Sequence, residues 1–303
     1  MKIVVLDAYT VSKDDLSWDF FERYGKVTVY QRTPADLIAD RMKDADVVFT
    51  SKCNLDEEII DSCPSLKFIG ALATGYDNID ITAAKRRGIV VCNVPSYSSQ
   101  SVAQHTFALI LEITNNVGKY GDMVNHGKWS KSEDFCFYDK PIIQLSGRSL
   151  GIIGYGNIGK EVAKIATAFG MTVNVFSKDP SSAVTSDILT IHCPLTEENK
   201  GFINSDFLWK MKTGSILINT ARGGLINESD LVEALQSGKL AAAGLDVISN
   251  EPPARDHIFY NVPNLYLTPH IAWSTFEARK EICRVSENNL SSFLNGDTLN
   301  RIV

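Results

Sequence analysis

Three charged side chains in the C-terminal half of the chain have the types that acid–base and anion-binding chemistry requires. Arg222, Glu251 and His270 each lie in a polar segment that follows an apolar, strand-like run. An arginine presents a fork of donors to an anion, a histidine passes a proton near neutral pH, and a glutamate can orient that histidine. Singly they could be a surface cation, a turn residue and a buried imidazole. Together, at neighbouring strand ends, they favour a shared site.

A glycine pattern earlier in the chain predicts a dinucleotide site. Gly154, Gly156 and Gly159 form G-x-G-x-x-G between an apolar run and a helical pattern that begins near Asn157 and Ile158. In this setting the first glycine permits a tight turn, the second lets the backbone approach a pyrophosphate, and the third packs helix against strand. The alternative is a glycine-rich turn that binds no ligand.

Apolar runs alternate with helical patterns along the chain, which predicts parallel strands joined by helices. Five strands are expected in the first part of the chain and six in the second, at residues 2–6, 27–30, 46–49, 67–71 and 89–94, and then at 150–154, 172–176, 188–192, 215–219, 241–247 and 264–267. The expected fold class is therefore α/β, with two doubly wound parallel-sheet domains. A final helical pattern at residues 276–293 is expected to return to the first domain.

One segment between the two series, residues 100–124, is predicted to be a single long helix. A capping-box sequence at residues 101–104 opens it, and apolar residues lie on nearly every side. Such a helix must be covered on more than one face. It is either a core helix of its own domain or an arm at a subunit interface.

Composition narrows the classes of partner and location. The formal net charge is −6 and the pI is near 5.4, so a general affinity for nucleic acid or anionic membranes is disfavoured. The six cysteines are scattered without a C-x-x-C pair, which indicates neither a disulfide frame nor a metal site. The apolar N-terminus ends at Asp7, too early for a signal peptide. We expect a cytoplasmic protein.

The ordered segments closely resemble those of the D-isomer-specific 2-hydroxyacid dehydrogenases over essentially the whole chain. Besides the segments above, the likeness includes A-T-G-Y-D-N-I-D at residues 73–80, residues 94–111, and H-C-P-L-T at 192–196. Residues 134–137 and 270–273 are most similar to the glycerate dehydrogenase (hydroxypyruvate reductase) branch. The resemblance implies a flavodoxin-like substrate domain, residues 1–96 and 275–303, and a Rossmann NAD(P)-binding domain, residues 97–274.

The resemblance also implies roles for individual residues. His270 would protonate a ketone oxygen, Glu251 would hold it charged, and Arg222 would bind a carboxylate. Lys52 is an additional candidate for the substrate site, although an exposed lysine at a strand end explains it equally well, and the backbone of Thr74, Gly75 and Tyr76 would hold the carboxylate too. The cofactor would contact Thr106, Gly154, Gly156, Asn157, Ile158, Ser177, Lys178, His192, Pro194, Thr220, Ala221, Asp246, His270 and Ala272. For His192, the end of a buried strand is the competing interpretation.

The implied activity is hydride transfer between NAD(P) and a small 2-keto or 2-hydroxy acid, with hydroxypyruvate/D-glycerate or glyoxylate/glycolate as the expected pairs. A homodimer is expected, in which residues 135–137 reach the neighbouring subunit's site. Two alternatives stay open: a non-catalytic, nucleotide-sensing protein of the same fold, and a formate dehydrogenase-like enzyme.

The choice between NAD and NADP depends on the end of the second strand of the nucleotide domain. An NAD-specific site places a carboxylate there, but this chain has Ser177 followed by Lys178. That pair modestly favours NADPH, unless Asp179 bends back toward the ribose. Only residues 177–187 connect this strand to the next, which is short for a parallel crossover. The sheet edge is therefore either trimmed, or a segment is missing from the sequence.

Overall fold

The structure is a computed structural model that describes every residue, Met1–Val303. Its α-helices are α1 Ile38–Met42, α2 Glu57–Asp61, α3 Ile81–Arg86, α4 Ser99–Asn115, α5 Val117–Asn125, α6 Asn157–Ala168, α7 Pro180–Val184, α8 Ser205–Lys210, α9 Glu228–Gln236 and α10 Phe276–Leu294. Its strands are β1 Lys2–Val5, β2 Lys26–Val29, β3 Val47–Thr50, β4 Phe68–Ala71, β5 Val90–Cys92, β6 Ser149–Ile153, β7 Thr172–Val175, β8 Ile188–Ile191, β9 Ser215–Asn219, β10 Leu240–Leu245 and β11 Leu265–Leu267. All the strand predictions are correct to within two residues at each end.

The chain divides into two compact units. Unit 1 comprises Met1–Ser98 and Ser274–Val303, and unit 2 comprises Ser99–Trp273. Each contains one parallel sheet flanked by helices. The predicted fold class, two doubly wound α/β domains, is confirmed.

Unit 1 has the strand order β2-β1-β3-β4-β5, which is the flavodoxin-like order. Its central strands β3 and β4 are buried along their whole length, as expected of a parallel sheet covered on both faces. Helix α10 packs on β4. The C-terminal residues then run along the edge of β5, where the Ile302 amide donates to the Val91 carbonyl at 2.7 Å.

Unit 2 has the strand order β11-β10-β9-β8-β6-β7, all parallel. The chain reverses its direction of travel across the sheet between β6 and β8, and such a switch point is where open α/β sheets bind their ligands. The sheet ends at β7, and the short helix α7 alone bridges β7 to β8 over the face of β6. No further strand follows β7 at this edge of the sheet.

The segment at residues 100–124 is not one helix. Asn116 adopts a left-handed conformation with φ of 53° and separates α4 from α5. Helix α4 begins at Ser99, two residues before the predicted cap, so Ser101 is a buried residue of the first turn. Phe107 and Ile110 of α4 pack in the core of unit 2. The apolar character of α4 is thus explained by the core of its own unit, whereas α5 buries no residue.

A smaller difference concerns the type of one helix. The helical pattern at residues 18–24 forms a 3-10 helix, Asp19–Tyr24, instead of an α-helix. None of the helices in the chain combines the length and the apolar character that a membrane crossing requires.

Candidate active site

Three charged residues, Arg222, Glu251 and His270, follow three adjacent strands of unit 2. Arg222 lies after β9, Glu251 after β10 and His270 after β11, and β10 is the middle strand of the three. Because parallel strands present their carboxyl ends at one edge, these loops share that edge of the sheet. The tertiary structure thus places the three segments side by side.

Glu251 and His270 form a hydrogen-bonded pair. The distance between His270 Nδ1 and Glu251 Oε2 is 2.6 Å, and both side chains are about one-third exposed or less. The second carboxylate oxygen of Glu251 accepts from the Ile248 amide at 3.2 Å, which fixes the carboxyl group. With Nδ1 held in this way, Nε2 is the ring atom that can exchange a proton with a substrate.

Asp246 organises the loop that carries His270. Its side chain is 1% exposed, and its oxygens accept from the amides of Ile271 at 2.9 Å and Ala272 at 2.8 Å. The His270 amide itself donates to the Asp246 carbonyl at 2.8 Å. These bonds hold His270 at a φ of 54°, a conformation that non-glycine residues seldom adopt. The Asp246 carboxylate, a predicted cofactor contact, is therefore occupied by the loop.

Arg222 is available for an anion. Its guanidinium donates to the Ala221 carbonyl at 2.8 Å and forms no ion pair with any carboxylate of the chain. The loop around it is fixed by Asn219, whose amide donates to the Arg222 carbonyl at 2.8 Å and whose side-chain oxygen accepts from the Ala221 amide at 3.0 Å. Sequence reasoning did not assign this role to Asn219.

The glycine loop between β6 and α6 has the geometry that its sequence predicts. Gly154 has a φ of +91°, and a Cβ on it would lie 2.5 Å from the Cys193 amide nitrogen. A Cβ on Gly159 would lie 2.2 Å from the Gly154 carbonyl oxygen. Both glycines are therefore needed for close packing. A Cβ on Gly156 would meet no atom within 4 Å, so open space lies at the position where a pyrophosphate would approach the start of α6.

The end of β7 carries the residues predicted to select the cofactor. Ser177 and Lys178 are exposed, and the Lys178 ammonium lies 5.7 Å from the centre of the Tyr155 ring. Asp179 is the N-cap of α7: one oxygen accepts from the Ser182 amide at 3.1 Å and the other from the Ser182 hydroxyl at 2.6 Å. These hydrogen bonds, the side-chain bond first, hold the pKa of Asp179 below its usual value. Its carboxylate is thus turned to α7.

Two further predicted cofactor residues are held by neighbours within unit 2. The Thr106 hydroxyl donates to the Val102 carbonyl at 2.8 Å, so in its 3.1 Å contact with Thr220 it is the acceptor. Thr220 and Ala221 begin the loop after β9, and Ala272 is buried in the loop after β11. The sequence signal for Thr106 came only from family resemblance.

His192 stands at the end of β8 with a neutral ring. Its Nε2 lies 2.9 Å from the Thr190 hydroxyl, and its Nδ1 is buried without a hydrogen-bond partner. Burial lowers the pKa of His192 to about 3. The backbone of His192 is also what the Gly154 turn packs against. Pro194 follows, and its carbonyl accepts from Asn199 at 2.9 Å.

The predicted substrate residues other than Arg222 lie in unit 1. Lys52 is exposed after β3, and Thr74, Gly75 and Tyr76 follow β4. The Thr74 hydroxyl donates to the Val94 carbonyl at 2.8 Å, so its side chain is used internally. The loop of Lys52 is held by a residue that sequence reasoning missed.

That residue is Asp7, a carboxylate that is 6% exposed at the end of β1. It accepts from the amides of Ser51 at 2.8 Å, Lys52 at 2.5 Å and Cys53 at 3.1 Å. Asp7 therefore fills, with its own charge, the nest of amides at the switch point of unit 1 between β1 and β3. The corresponding point of unit 2, at Gly154 and Gly156, is left open for a ligand.

Two features of unit 2 fit a dinucleotide. The space at Gly156 is open to a pyrophosphate, and the amides at the start of the 12-residue helix α6 can donate to it. An arginine without an ion pair and a histidine–glutamate pair lie at the same edge of the sheet, and this arrangement fits an oxidoreductase that binds a dinucleotide. Residues 107–272 match the family described as D-isomer specific 2-hydroxyacid dehydrogenase, NAD binding domain.

Two curated relatives match over nearly the whole chain. The hydroxypyruvate reductase of Blautia hydrogenotrophica is 43% identical over 318 aligned positions, covering 99% of each protein. The glycerate dehydrogenase of Methylorubrum extorquens is 36% identical, covering 99% of this chain and 98% of the relative.

Two solved structures are similar over the full length. The acyclic imino acid reductase Bsp5 in complex with NADPH and D-Arg has a TM-score of 0.88 at 28% identity, covering 100% of both chains. The D-lactate dehydrogenase from Aquifex aeolicus complexed with NAD and lactic acid has a TM-score of 0.84 at 28% identity, covering 100% of this chain and 99% of the other. The chain belongs to the D-isomer specific 2-hydroxyacid dehydrogenase family, and it is an oxidoreductase with a nicotinamide cofactor. The predicted family and branch are confirmed.

Proposed function

We propose that this protein reduces hydroxypyruvate or glyoxylate to D-glycerate or glycolate, with a preference for NADPH, and that it acts as a homodimer. The observation that carries the reaction is the His270–Glu251 pair at 2.6 Å, on loops that follow strands adjacent to one another, with Arg222 after the next strand. Two relatives are named hydroxypyruvate reductase and glycerate dehydrogenase, and these names support the proposed substrates.

The chemistry is divided among three side chains. A reduced nicotinamide, when bound, supplies the hydride. Arg222 binds the substrate carboxylate and polarises the ketone, because its fork of donors has no competing anion in the chain. His270 Nε2 gives its proton to the ketone oxygen as the carbon receives the hydride, so the C=O bond becomes C–O–H. Glu251 keeps the imidazole oriented for the transfer, because it is bonded to Nδ1 at 2.6 Å and leaves Nε2 for the substrate. A proton from water restores His270.

Residues of unit 1 are proposed to complete substrate binding. The amides of Thr74, Gly75 and Tyr76 would hold the carboxylate, and the internal use of the Thr74 hydroxyl supports a role for its backbone. Lys52 is proposed as a further cation for the substrate, on a loop that Asp7 keeps in shape.

The NADPH preference is supported by the end of β7. Ser177 and Lys178 place a hydroxyl and a cation where an NAD site has a carboxylate. Asp179 is the acid close enough in sequence to replace that carboxylate, but both of its oxygens accept hydrogen bonds from Ser182 at the start of α7. A 2′-phosphate would therefore meet Lys178 without a facing carboxylate.

The substrate proposal is tested with a panel of hydroxypyruvate, glyoxylate, pyruvate and bulkier keto acids, each with NADH and NADPH. The expected result is the highest kcat/KM for hydroxypyruvate or glyoxylate. The controls are His270→Asn with the best substrate, and nucleotide binding by each protein. If no keto acid of the panel is turned over while the nucleotide binds, the proposed substrates are wrong.

The cofactor proposal is tested with Ser177→Asp. The wild type is expected to show the higher kcat/KM with NADPH, and the variant is expected to lose that preference, because the new carboxylate repels a 2′-phosphate and accepts from ribose hydroxyls. Asp179→Asn is the matched control, since the cap is not placed to contact the ribose. A strong NADH preference of the wild type would contradict the proposal.

A further inference from the structure

A second histidine is connected to the loop of His270. His105, on α4, has its Nε2 2.9 Å from the Thr268 hydroxyl, and its side chain is 18% exposed. The Thr268 hydroxyl in turn lies 2.6 Å from Asp246 Oδ1. A carboxylate only accepts, so threonine gives its single hydrogen to Asp246 and receives one from His105. The direction of both bonds is therefore determined, with a hydrogen on His105 Nε2.

The chain of bonds ends at the backbone next to the catalytic histidine. The same oxygen of Asp246 that accepts from Thr268 also accepts from the Ile271 amide at 2.9 Å, and the other oxygen accepts from the Ala272 amide at 2.8 Å. His270 directly precedes these two donors and has a left-handed conformation. Such a conformation persists only where the surroundings over-determine it.

We infer that His105 is a positioning residue, which holds His270 in its reactive orientation by fixing Thr268 and Asp246. The inference rests on the proposed function for its effect on turnover. Without the donor on His105, the part-buried Thr268 oxygen no longer accepts a hydrogen bond, and the hydroxyl is held only by its own bond to Asp246. The His270 loop then loses one of the bonds that maintain its strained backbone.

Two substitutions separate the hydrogen bond from the shape of the ring. His105→Phe keeps a planar aromatic ring and removes the donor, whereas His105→Gln keeps a nitrogen donor at a similar reach. We expect His105→Phe to lower kcat about tenfold with the substrate KM and nucleotide Kd within about twofold, because orientation of a transition-state group is what is lost. His105→Gln is expected to stay near the wild type.

A measurement without turnover tests the same inference. Hydrogen exchange of the Ile271 and Ala272 amides, followed by NMR in the free protein, is expected to speed up in His105→Phe and in Thr268→Val, and to stay slow in His105→Gln. The double variant, His105→Phe with Thr268→Val, is expected to exchange these two amides no faster than either single variant, because both substitutions break the same chain of hydrogen bonds.

The outcomes are distinguishable. Lower kcat in His105→Phe with unchanged exchange at these amides, or additive effects in the double variant, would overturn the positioning role. A loss of kcat in His105→Gln as large as in His105→Phe would also overturn it. If the wild type reduces no keto acid, the proposed function fails, and the exchange data still decide the role of His105.

Discussion

The atom that can transfer a proton in this site is Nε2 of His270, because Nδ1 is engaged by Glu251 at 2.6 Å. The polar neighbours of this histidine have different roles, since Glu251 orients the ring and Asp246 fixes the backbone that follows it. Arg222 is left without an ion pair. The arrangement therefore leaves His270 Nε2 for the proposed proton transfer and the Arg222 guanidinium for the proposed binding of the carboxylate.

Substitution of the two members of the pair should separate proton transfer from ring orientation. His270→Asn is expected to lower kcat by about a thousandfold or more, since general acid catalysis contributes about 10² to 10⁴. Glu251→Gln should cost less, about ten- to hundredfold, because the amide still accepts from the ring. Steady-state kinetics measure both, with nucleotide Kd as the control. Equal turnover in His270→Asn and the wild type would show that another residue donates the proton.

His192 gives a stability prediction with a definite sign. Burial lowers its pKa to about 3 from the ordinary value of 6.5, so the unfolded chain takes up a proton on this ring before the folded chain does. The free energy of unfolding therefore has its full value, as far as His192 is concerned, above pH 6.5, and it decreases as the pH falls from 6.5 toward 3.

We therefore expect His192→Phe to flatten the acid limb of the stability curve. Chemical denaturation at several pH values between about 7 and 4 would measure it, and the slope difference should not exceed about 1.4 kcal/mol per pH unit. Parallel curves for the wild type and His192→Phe would show that this ring is not held neutral by the fold.

At the scale of elements, the glycine loop and α7 determine what unit 2 can bind. The turn at Gly154 packs against the end of β8, and the open position at Gly156 faces the start of α6. Helix α7 closes a short crossover and uses the carboxylate of Asp179 to begin. The same side chain is thereby turned to α7, so the short crossover and the proposed cofactor preference have one structural cause.

Two alanine substitutions in the glycine loop should have different effects. Gly154→Ala places a Cβ 2.5 Å from backbone and strains a φ of +91°, so we expect a lower melting temperature and loss of nucleotide binding. Gly156→Ala meets no protein atom within 4 Å, so the melting temperature should hold while nucleotide affinity falls. Thermal unfolding and nucleotide titration measure the two. Normal nucleotide affinity in Gly156→Ala would contradict the assigned pyrophosphate position.

At the scale of the whole molecule, exposed apolar side chains are concentrated in one segment, residues 117–142, which we call the arm. They include Trp129 at 53% exposure, Phe135 at 88%, Tyr138 at 70% and Ile142 at 56%. A cluster of large apolar groups on a protein surface indicates an interface. The proposed homodimer therefore rests on the arm, since α4 is buried in its own unit.

Sedimentation at micromolar concentration tests the dimer. The wild type is expected to be a dimer, and the double variant Trp129→Glu with Phe135→Glu is expected to be a monomer, because two charges would be buried without partners. Trp209→Glu, at a tryptophan that is 54% exposed outside the arm, is the control and should stay dimeric. A stable wild-type monomer would contradict the proposal.

Local pattern was sufficient to predict much of this protein. The eleven strands, the glycine turn and the segments of Arg222, Glu251 and His270 follow from alternating apolar runs and turn residues, because strand burial and backbone freedom depend on residues near in sequence. Family resemblance added the roles of individual residues. The cytoplasmic location remains a prediction.

The tertiary structure decided what depends on residues distant in sequence. The apolar pattern at residues 100–124 could not show that Asn116 divides it into a core helix and an exposed one, since apolar residues suit a core and an interface equally. Sequence left Asp179 free to bend back, and only the crossover of β7 to β8 assigned it to α7. Asp7, His105 and Asp246 act through partners that lie 22 to 163 positions away. The spacing of residues along the chain does not predict such contacts, because they form only when the strands and helices pack together.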